Sequence, residues 1–175
     1  MKNYLQEIKD KNILCEIYND KSDSSKFFLG YIIAYDERVM IVENISSNGV
    51  HDGYYCLPLE SIFRICWDTV YIRNFVKLLA GKDFKRGNLK LDVKNLLSGF
   101  LAQIKSSKIL CNVELYNDEL SELTGYLEDA DEVNLLVNLI NTDGLSDGKA
   151  LIRLEDISCV SIDTEYLKKI KAFCS

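Results

Sequence analysis

The chain alternates between short apolar runs and clusters of glycine, asparagine and aspartate. The runs are rich in β-branched and aromatic side chains, which favour strands, and the clusters between them favour turns. In the run 39–42 consecutive residues are all apolar, which indicates a strand that is covered on both faces. The pattern predicts ten strands, at 13–18, 27–35, 38–45, 54–59, 62–67, 109–116, 123–127, 132–140, 150–154 and 157–162.

Helical periodicity flanks both groups of five strands. Apolar residues recur at spacings of three and four between 93 and 104, with Asp92 as the predicted N-cap, and a shorter helix is predicted to begin at Asn3. Asp68 and Asp163 are the predicted N-caps of two closing helices, because apolar residues stand directly before each and four positions after it. Each half of the chain is therefore predicted to read α-β-β-β-β-β-α.

The two halves also share residues at a nearly constant spacing. The string L-x-x-I-K-x-x-x-I-L-C that starts at Leu5 recurs 96 positions later at Leu101, and a second set recurs at an offset of 95. A constant offset across the whole unit indicates a tandem duplication of a small domain. We predict a first domain at 1–80, a connector at 81–91 and a second domain at 92–175. The second set pairs Gly30, Asp36, Glu37, Asp52, Gly53, Glu60, Asp68 and Thr69 with Gly125, Asp131, Glu132, Asp147, Gly148, Glu155, Asp163 and Thr164.

The motifs within each repeat resemble a known family. The stretch 28–41, F-L-G-Y-I-I-A-Y-D-E-R-V-M-I, places Gly30 in the second strand and an Asp-Glu turn before the third, and T-G-Y-L at 124–127 begins the same motif again. With an opening helix and an L-E-x-I run between strands four and five, this resembles the Sm-like fold of the Sm and Hfq proteins. The resemblance implies a mainly β protein with α-helices: two tandem five-stranded small barrels of Sm-like or SH3-like type, each with an N-terminal and a C-terminal helix.

The resemblance also implies RNA binding, but the residues that would carry it differ here. Where Hfq-like proteins have a basic signature between strands four and five, this chain has L-E-S-I at 59–62 and L-E-D-I at 154–157. Carboxylates at these positions would repel phosphate groups. We therefore do not expect tight binding of generic RNA.

The charge is distributed unevenly along the chain. Its net value is −6, but residues 81–100 hold 5 basic and 2 acidic side chains, whereas residues 101–175 hold 7 basic and 14 acidic ones. The connector combines cations with one aromatic ring, which is typical of a weak nucleic-acid contact and also of a solvated linker between domains. Its candidate contact residues are Lys82, Phe84, Lys85, Arg86 and Lys90.

The candidate metal and redox residues are scattered. The six cysteines include no C-x-x-C pair, and His51, the single histidine, has no cysteine nearby. Zinc sites usually show closely spaced ligands, so we predict free cysteines, no metal and no cofactor. No apolar run is long enough for a membrane helix, and the first residues lack an apolar signal core. These features favour a cytoplasmic protein that has no membrane partner.

Catalytic residues are not evident either. Acid–base catalysis by Asp36 or Glu60 would require a cleft and a partner that the sequence does not indicate, so we predict no enzyme. The leading prediction is a binding or assembly module that acts through protein–protein interaction, with a protein partner or self-association. Tyr18, Tyr35 and Tyr116 are the predicted exposed contacts. The alternative is an RNA-binding regulatory protein that uses the basic connector.

The fourth strands of the two halves differ at one informative position. In Sm-like assemblies, the fourth strand of one barrel pairs with the fifth strand of the next. Pro58 in the first half has no N–H to donate, whereas its equivalent in the second half, Arg153, has one. We therefore expect strand four of the first half to be blunted at Pro58, so that it cannot be extended by a partner strand. Strand four of the second half is expected to accept another strand, with Arg153 as a partner contact. A monomer or a simple homodimer is expected rather than a ring with equivalent interfaces.

Overall fold

The computed structural model describes residues 2–80, 86–89, 91, 95–116 and 118–174. Within these ranges, five strands lie between two helices in each half of the chain. The first half contains α1 (Lys2–Asp10), β1 (Cys15–Tyr18), β2 (Phe28–Tyr35), β3 (Val39–Ile45), β4 (His51–Pro58), β5 (Arg64–Trp67) and α2 (Val70–Leu79). The second half contains α3 (Leu96–Ser106), β6 (Leu110–Leu115), β7 (Asp118–Ala130), β8 (Asn134–Ile140), β9 (Ser146–Arg153), β10 (Ile157–Ile162) and α4 (Glu165–Lys171).

The ten strands form one antiparallel sheet in the order β5-β1-β2-β3-β4-β10-β6-β7-β8-β9. Each half keeps the same internal order, with its fifth strand beside its first, and the halves join where β4 pairs with β10. The prediction of a mainly β protein with helices is confirmed. The two closed barrels are not confirmed, because the sheet is open and ends at β5 and β9. The domain boundaries at 80 and 92 stay a prediction.

Strand β3 is covered on both faces, as its unbroken apolar run predicts. Val39 and Ile41 are buried in one core and Met40 and Val42 in another. The first core also receives Phe100 from α3, while α1 packs on the second. Helices α2 and α4 cover two smaller clusters. The opening helix of the second half thus helps to build the core beneath the β4–β10 contact.

The second strand of each half bends at the same place. The pairing of β2 with β3 shifts register between Ile32 and Ala34, and the pairing of β7 with β8 shifts between Leu127 and Asp129. Such bulges bend the strand and increase its twist. A side chain on Gly30 would meet the carbonyl oxygen of Glu43 at 2.1 Å, so glycine is required where the bent strands approach most closely.

The N-caps of the closing helices lie one residue later than predicted. The Thr69 hydroxyl accepts from the Ile72 N–H, and the Thr164 hydroxyl accepts from the Leu167 N–H, each at 3.1 Å. Asp68 and Asp163 instead adopt positive φ values of 53° and 58°. Aspartate tolerates this left-handed conformation better than most residues do, which explains why it precedes the cap.

The caps of the opening helices also differ from the prediction. Asn3 is not a cap, because it lies inside α1. Asp92 lies outside the described residues. The N-cap of α3 is Asn95, whose side chain accepts from the Ser98 N–H at 3.3 Å.

Candidate functional site

The junction between the halves is a short antiparallel ladder between β4 and β10. Its pairs are Tyr54–Ile162, Tyr55–Ser161 and Cys56–Val160. Pro58 lies two residues beyond the last pair. Strand β4 thus accepts a partner strand over residues 54–56, and the ladder ends before the proline, so Pro58 limits the length of this contact but does not prevent it.

Two neighbouring residues of β4, Asp52 and Gly53, reinforce this junction. The Asp52 carboxylate accepts a hydrogen bond of 2.8 Å from the backbone N–H of Glu165, the first residue of α4. This N–H is among those that have no acceptor inside their own helix. Gly53 has a φ of 82°, and a Cβ there would lie 2.3 Å from the Ile162 carbonyl oxygen. The Asp-Gly pair thus provides an acceptor for the first N–H of α4 and lets the two strands approach.

The same Asp-Gly pair occurs at the free edge of the sheet. Strand β9 pairs only with β8 among the described strands. Gly148 has a φ of 89°, like Gly53, but a Cβ there would meet nothing within 4 Å. Leu151, at the position of Cys56, is 72% exposed. Arg153 is exposed at the end of β9, where its guanidinium lies 3.4 Å from a Glu155 carboxylate oxygen.

The opposite edge, β5, occupies the position that β10 has at the junction. It pairs only with β1 among the described strands. Trp67, the equivalent of Ile162, is 43% exposed, and Val70, at the start of α2, is 64% exposed. The equivalent residue Ile162 is 2% exposed, because the junction covers it. Leu151 at one end of the sheet and Trp67 at the other are therefore exposed at positions that the junction buries.

A polar cluster fastens the connector to the junction. Glu43 on β3 is fully buried and accepts hydrogen bonds from the Gly87 N–H at 2.6 Å and from the Arg86 guanidinium at 2.8 Å. The His51 Nδ1 lies 3.0 Å from the same carboxylate. We call Glu43, His51, Arg86, Gly87 and Asp163 the connector cluster.

His51 links the two halves through this cluster. Its Nε2 lies 3.0 Å from a carboxylate oxygen of Asp163, so each ring nitrogen faces a carboxylate. Only the protonated ring donates from both nitrogens. The hydrogen bond to Glu43 raises the pKa of His51, burial opposes this, and Asp163 adds to it. Burial alone would raise the pKa of Glu43, but the bonds from His51, Gly87 and Arg86 outweigh burial and lower it.

Arg86 is the only described member of the predicted nucleic-acid contact set. Its guanidinium lies over the Tyr31 ring at 4.4 Å from the centroid and also donates to Asn12, so it is engaged by the first half of the chain. The connector is further held by the Leu89 N–H, which donates to the Tyr54 hydroxyl at 3.2 Å. The other predicted contact residues, Lys82, Phe84, Lys85 and Lys90, lie outside the described residues.

The predicted exposed tyrosines have different environments. Tyr18 is only 7% exposed and donates to Glu16 at 2.6 Å, so the expectation of an exposed contact is wrong there. Tyr35 is half-buried and its hydroxyl donates to Gln6 at 3.1 Å. Tyr116 is 44% exposed and lines a cavity between the two halves. Of the three, Tyr116 is the best placed to contact a partner.

This cavity lies between the halves and has a volume of about 510 Å³. Pro58 and Cys56 line one side, and Ile157 and Val160 line the other. Leu97 and Leu101 of α3, together with Val39, complete an apolar floor. Its charged lining residues are Glu37, Arg38, Glu60, Glu132 and Glu155. We call this cavity the fork, because it lies beyond the last β4–β10 pair.

The described residues supply few groups for catalysis or metal binding. Burial raises the pKa of the Cys56 and Cys111 thiols to about 12, and a thiol with a raised pKa is a poor nucleophile. No cluster of His, Cys, Asp or Glu within the described ranges could hold a metal ion. None of the helices described here is long and apolar enough to cross a membrane.

Comparison with known proteins does not assign a family. No family model, curated protein or solved structure matches the chain significantly.

Proposed function

We propose that this protein is a non-enzymatic assembly module, built from two tandem Sm-like small barrels, that associates with further copies of itself. Strand β5 of one copy pairs with strand β9 of the next. One observation carries the proposal: the β4–β10 contact within the chain has an unfilled equivalent at the two ends of the sheet. An exposed edge strand presents unpaired backbone groups that a second strand can complete.

The junction also defines the register of the proposed contact. Each β4 residue has its equivalent 95 positions later in β9, and each β10 residue has its equivalent 95 positions earlier in β5. The pair Cys56–Val160 therefore corresponds to Leu151 of one copy with Ile65 of the next. The other pairs become Ala150–Cys66 and Lys149–Trp67. The contact would cover Leu151 and Trp67, two of the exposed apolar residues at the sheet edges.

The residues that reinforce the junction are retained for the second contact. Asp147, the equivalent of Asp52, would accept from the Val70 N–H at the start of α2 in the next copy, because Val70 is the equivalent of Glu165. The open space beside Gly148 would be filled by the Trp67 carbonyl region of that copy.

The repeated strand order supports the Sm-like part of the proposal. In each half the fifth strand lies beside the first, the second strand carries a bulge, and a glycine lies where strands two and three approach. Bulges of this kind allow a sheet to curve toward closure. The RNA-binding alternative lacks such support, because Arg86, the one connector cation in the described residues, is bound by Glu43.

Light scattering of the purified protein over a range of concentrations tests the proposal. The unchanged chain should gain mass as the concentration rises, and Leu151→Lys should remain a single copy, because it places a charge in the proposed contact. Tyr4→Lys is the matched control, since Tyr4 is 63% exposed on α1 and belongs to neither edge strand. A single-copy mass for the unchanged chain at every concentration would refute the proposal.

A further inference from the structure

The fork between β4 and β10 has the properties of a second binding site, separate from the sheet edges. The ladder ends at Cys56–Val160, yet both strands continue, β4 to Pro58 and β10 back to Ile157. The missing N–H of Pro58 gives a physical reason for the strands to part there. On their outer sides the two segments pair with β3 and β6. On the inner side of β4, Pro58 has no N–H and its carbonyl accepts from the Ser61 hydroxyl at 2.8 Å, so an inserted chain would be held there mainly by side-chain contacts.

The walls of the fork offer apolar contacts to such a chain. Val133 is 60% exposed and Tyr116 is 44% exposed at its mouth. Below them, Leu97 and Leu101 of α3 present an apolar floor. An occupant with apolar side chains on one face could therefore bury them against this surface.

The charge around the fork is strongly one-sided. Four glutamates and one arginine line it, and the glutamates are two equivalent pairs, Glu37 with Glu132 and Glu60 with Glu155. Each half thus brings the same two carboxylates to the same cavity. The lining stays mainly acidic even with Arg38 in it and Arg153 at 3.4 Å from Glu155, and such a cleft attracts the opposite charge, so the complementary occupant is cationic.

We propose that the fork binds an extended segment of a partner protein in which basic and apolar side chains alternate. In an extended segment, alternate residues point to opposite sides, so one set would reach the apolar floor while the other meets the carboxylates. Nucleic acid does not fit this site, because its phosphates would face four carboxylates. The site goes beyond self-assembly, because Leu151 and Trp67 at the sheet edges do not line it.

The test measures binding of a short fluorescent peptide that alternates lysine and valine to the full-length protein. The expected dissociation constant is on the order of 10 μM, and the amide resonances of Val133 and Ile157 should shift on binding. A combined Glu60→Gln, Glu132→Gln and Glu155→Gln variant should bind about tenfold more weakly, since each exposed ion pair contributes modestly. Val133→Lys should weaken binding at least as much.

Matched controls separate a specific site from general acidity. A variant with Glu7→Gln, Asp10→Asn and Glu165→Gln removes the same charge at residues that do not line the fork and should bind normally. Equal loss in this control would overturn the proposal, as would equal binding of a peptide that alternates lysine and serine. Preferential binding of a single-stranded oligonucleotide to the fork would overturn it too. Leu151→Lys should bind the peptide normally, so failure of self-assembly and failure of the fork are distinguishable.

Discussion

The β4 edge and the β9 edge have the same backbone design but different neighbours. Both contain an Asp-Gly pair with a positive φ at the glycine, 82° at Gly53 and 89° at Gly148. At β4 the pair packs on β10 and α4, whereas at β9 it faces open space. Among the described strands, the same Asp-Gly edge thus occurs twice, and the chain itself covers one of the two.

Side chains and chain connectivity both favour the β4–β10 junction over the proposed contact between β9 and β5. Glu43 and His51 belong to the connector cluster at β4, while the equivalent positions near β9 hold Asn138 and Ser146. The junction is also intramolecular, so its two strands meet at a high effective concentration. A contact between β9 and β5 would have neither advantage, and it should depend on protein concentration.

The largest expected effect comes from removing the buried carboxylate. Glu43→Ala leaves Arg86, Gly87 and His51 without their shared acceptor, and it should lower the free energy of unfolding by about 3–5 kcal/mol, as breaking other buried ion pairs does. Asn138→Ala, at the equivalent position, should cost less than about 1 kcal/mol. Denaturant unfolding measures both values. Similar losses of unfolding free energy in the two variants would show that the connector cluster does not stabilise the β4 edge more than the equivalent residues stabilise the β9 edge.

The two glycines allow a direct comparison of the packed and the open edge. Gly53→Ala and Gly148→Ala both place alanine at a positive φ, which costs roughly 1–2 kcal/mol. Gly53→Ala should cost about 1–3 kcal/mol more, because its Cβ would meet the Ile162 carbonyl. Thermal unfolding at low protein concentration should show this difference. If the two variants were equally stable, close packing at the junction would be contradicted.

A smaller effect should appear in the pH dependence of stability. Because the folded protein raises the pKa of His51, its contribution is complete below the unfolded value of 6.5 and is lost as pH rises through the folded pKa. His51→Gln should therefore cost about 1 kcal/mol in mildly acidic solution and progressively less at higher pH. Ser146→Gln, at the equivalent position, should leave the profile unchanged. A His51→Gln profile parallel to that of the unchanged protein would contradict this role.

Local sequence patterns predicted much of the fold because strands and turns depend on near neighbours. The apolar run at 39–42 indicates the two-sided burial of β3, and the repeat indicates the recurring element order. The predicted and observed N-caps differ because Asp68 and Thr69 are both good capping residues, and only the backbone conformation decides between them.

The candidate sites depend on distant residues that no local pattern brings together. His51 meets Asp163 across 112 positions, so no local pattern in the sequence connects the two residues. The pairing of β4 with β10 likewise depends on how the two halves dock. The equivalence of Asp52 with Asp147 was visible in the repeat, but its meaning required seeing Asp52 on the Glu165 N–H.

Mixing two edge variants tests the central claim most directly. Leu151→Lys blocks β9 and keeps β5, whereas Trp67→Lys blocks β5 and keeps β9, and both changed residues are exposed enough for folding to persist. Each variant alone should remain a single copy, and an equimolar mixture should form a complex of one copy of each, measured by analytical ultracentrifugation. If the Trp67→Lys chain formed dimers by itself, or if the mixture stayed monomeric, pairing of β9 with β5 would be contradicted.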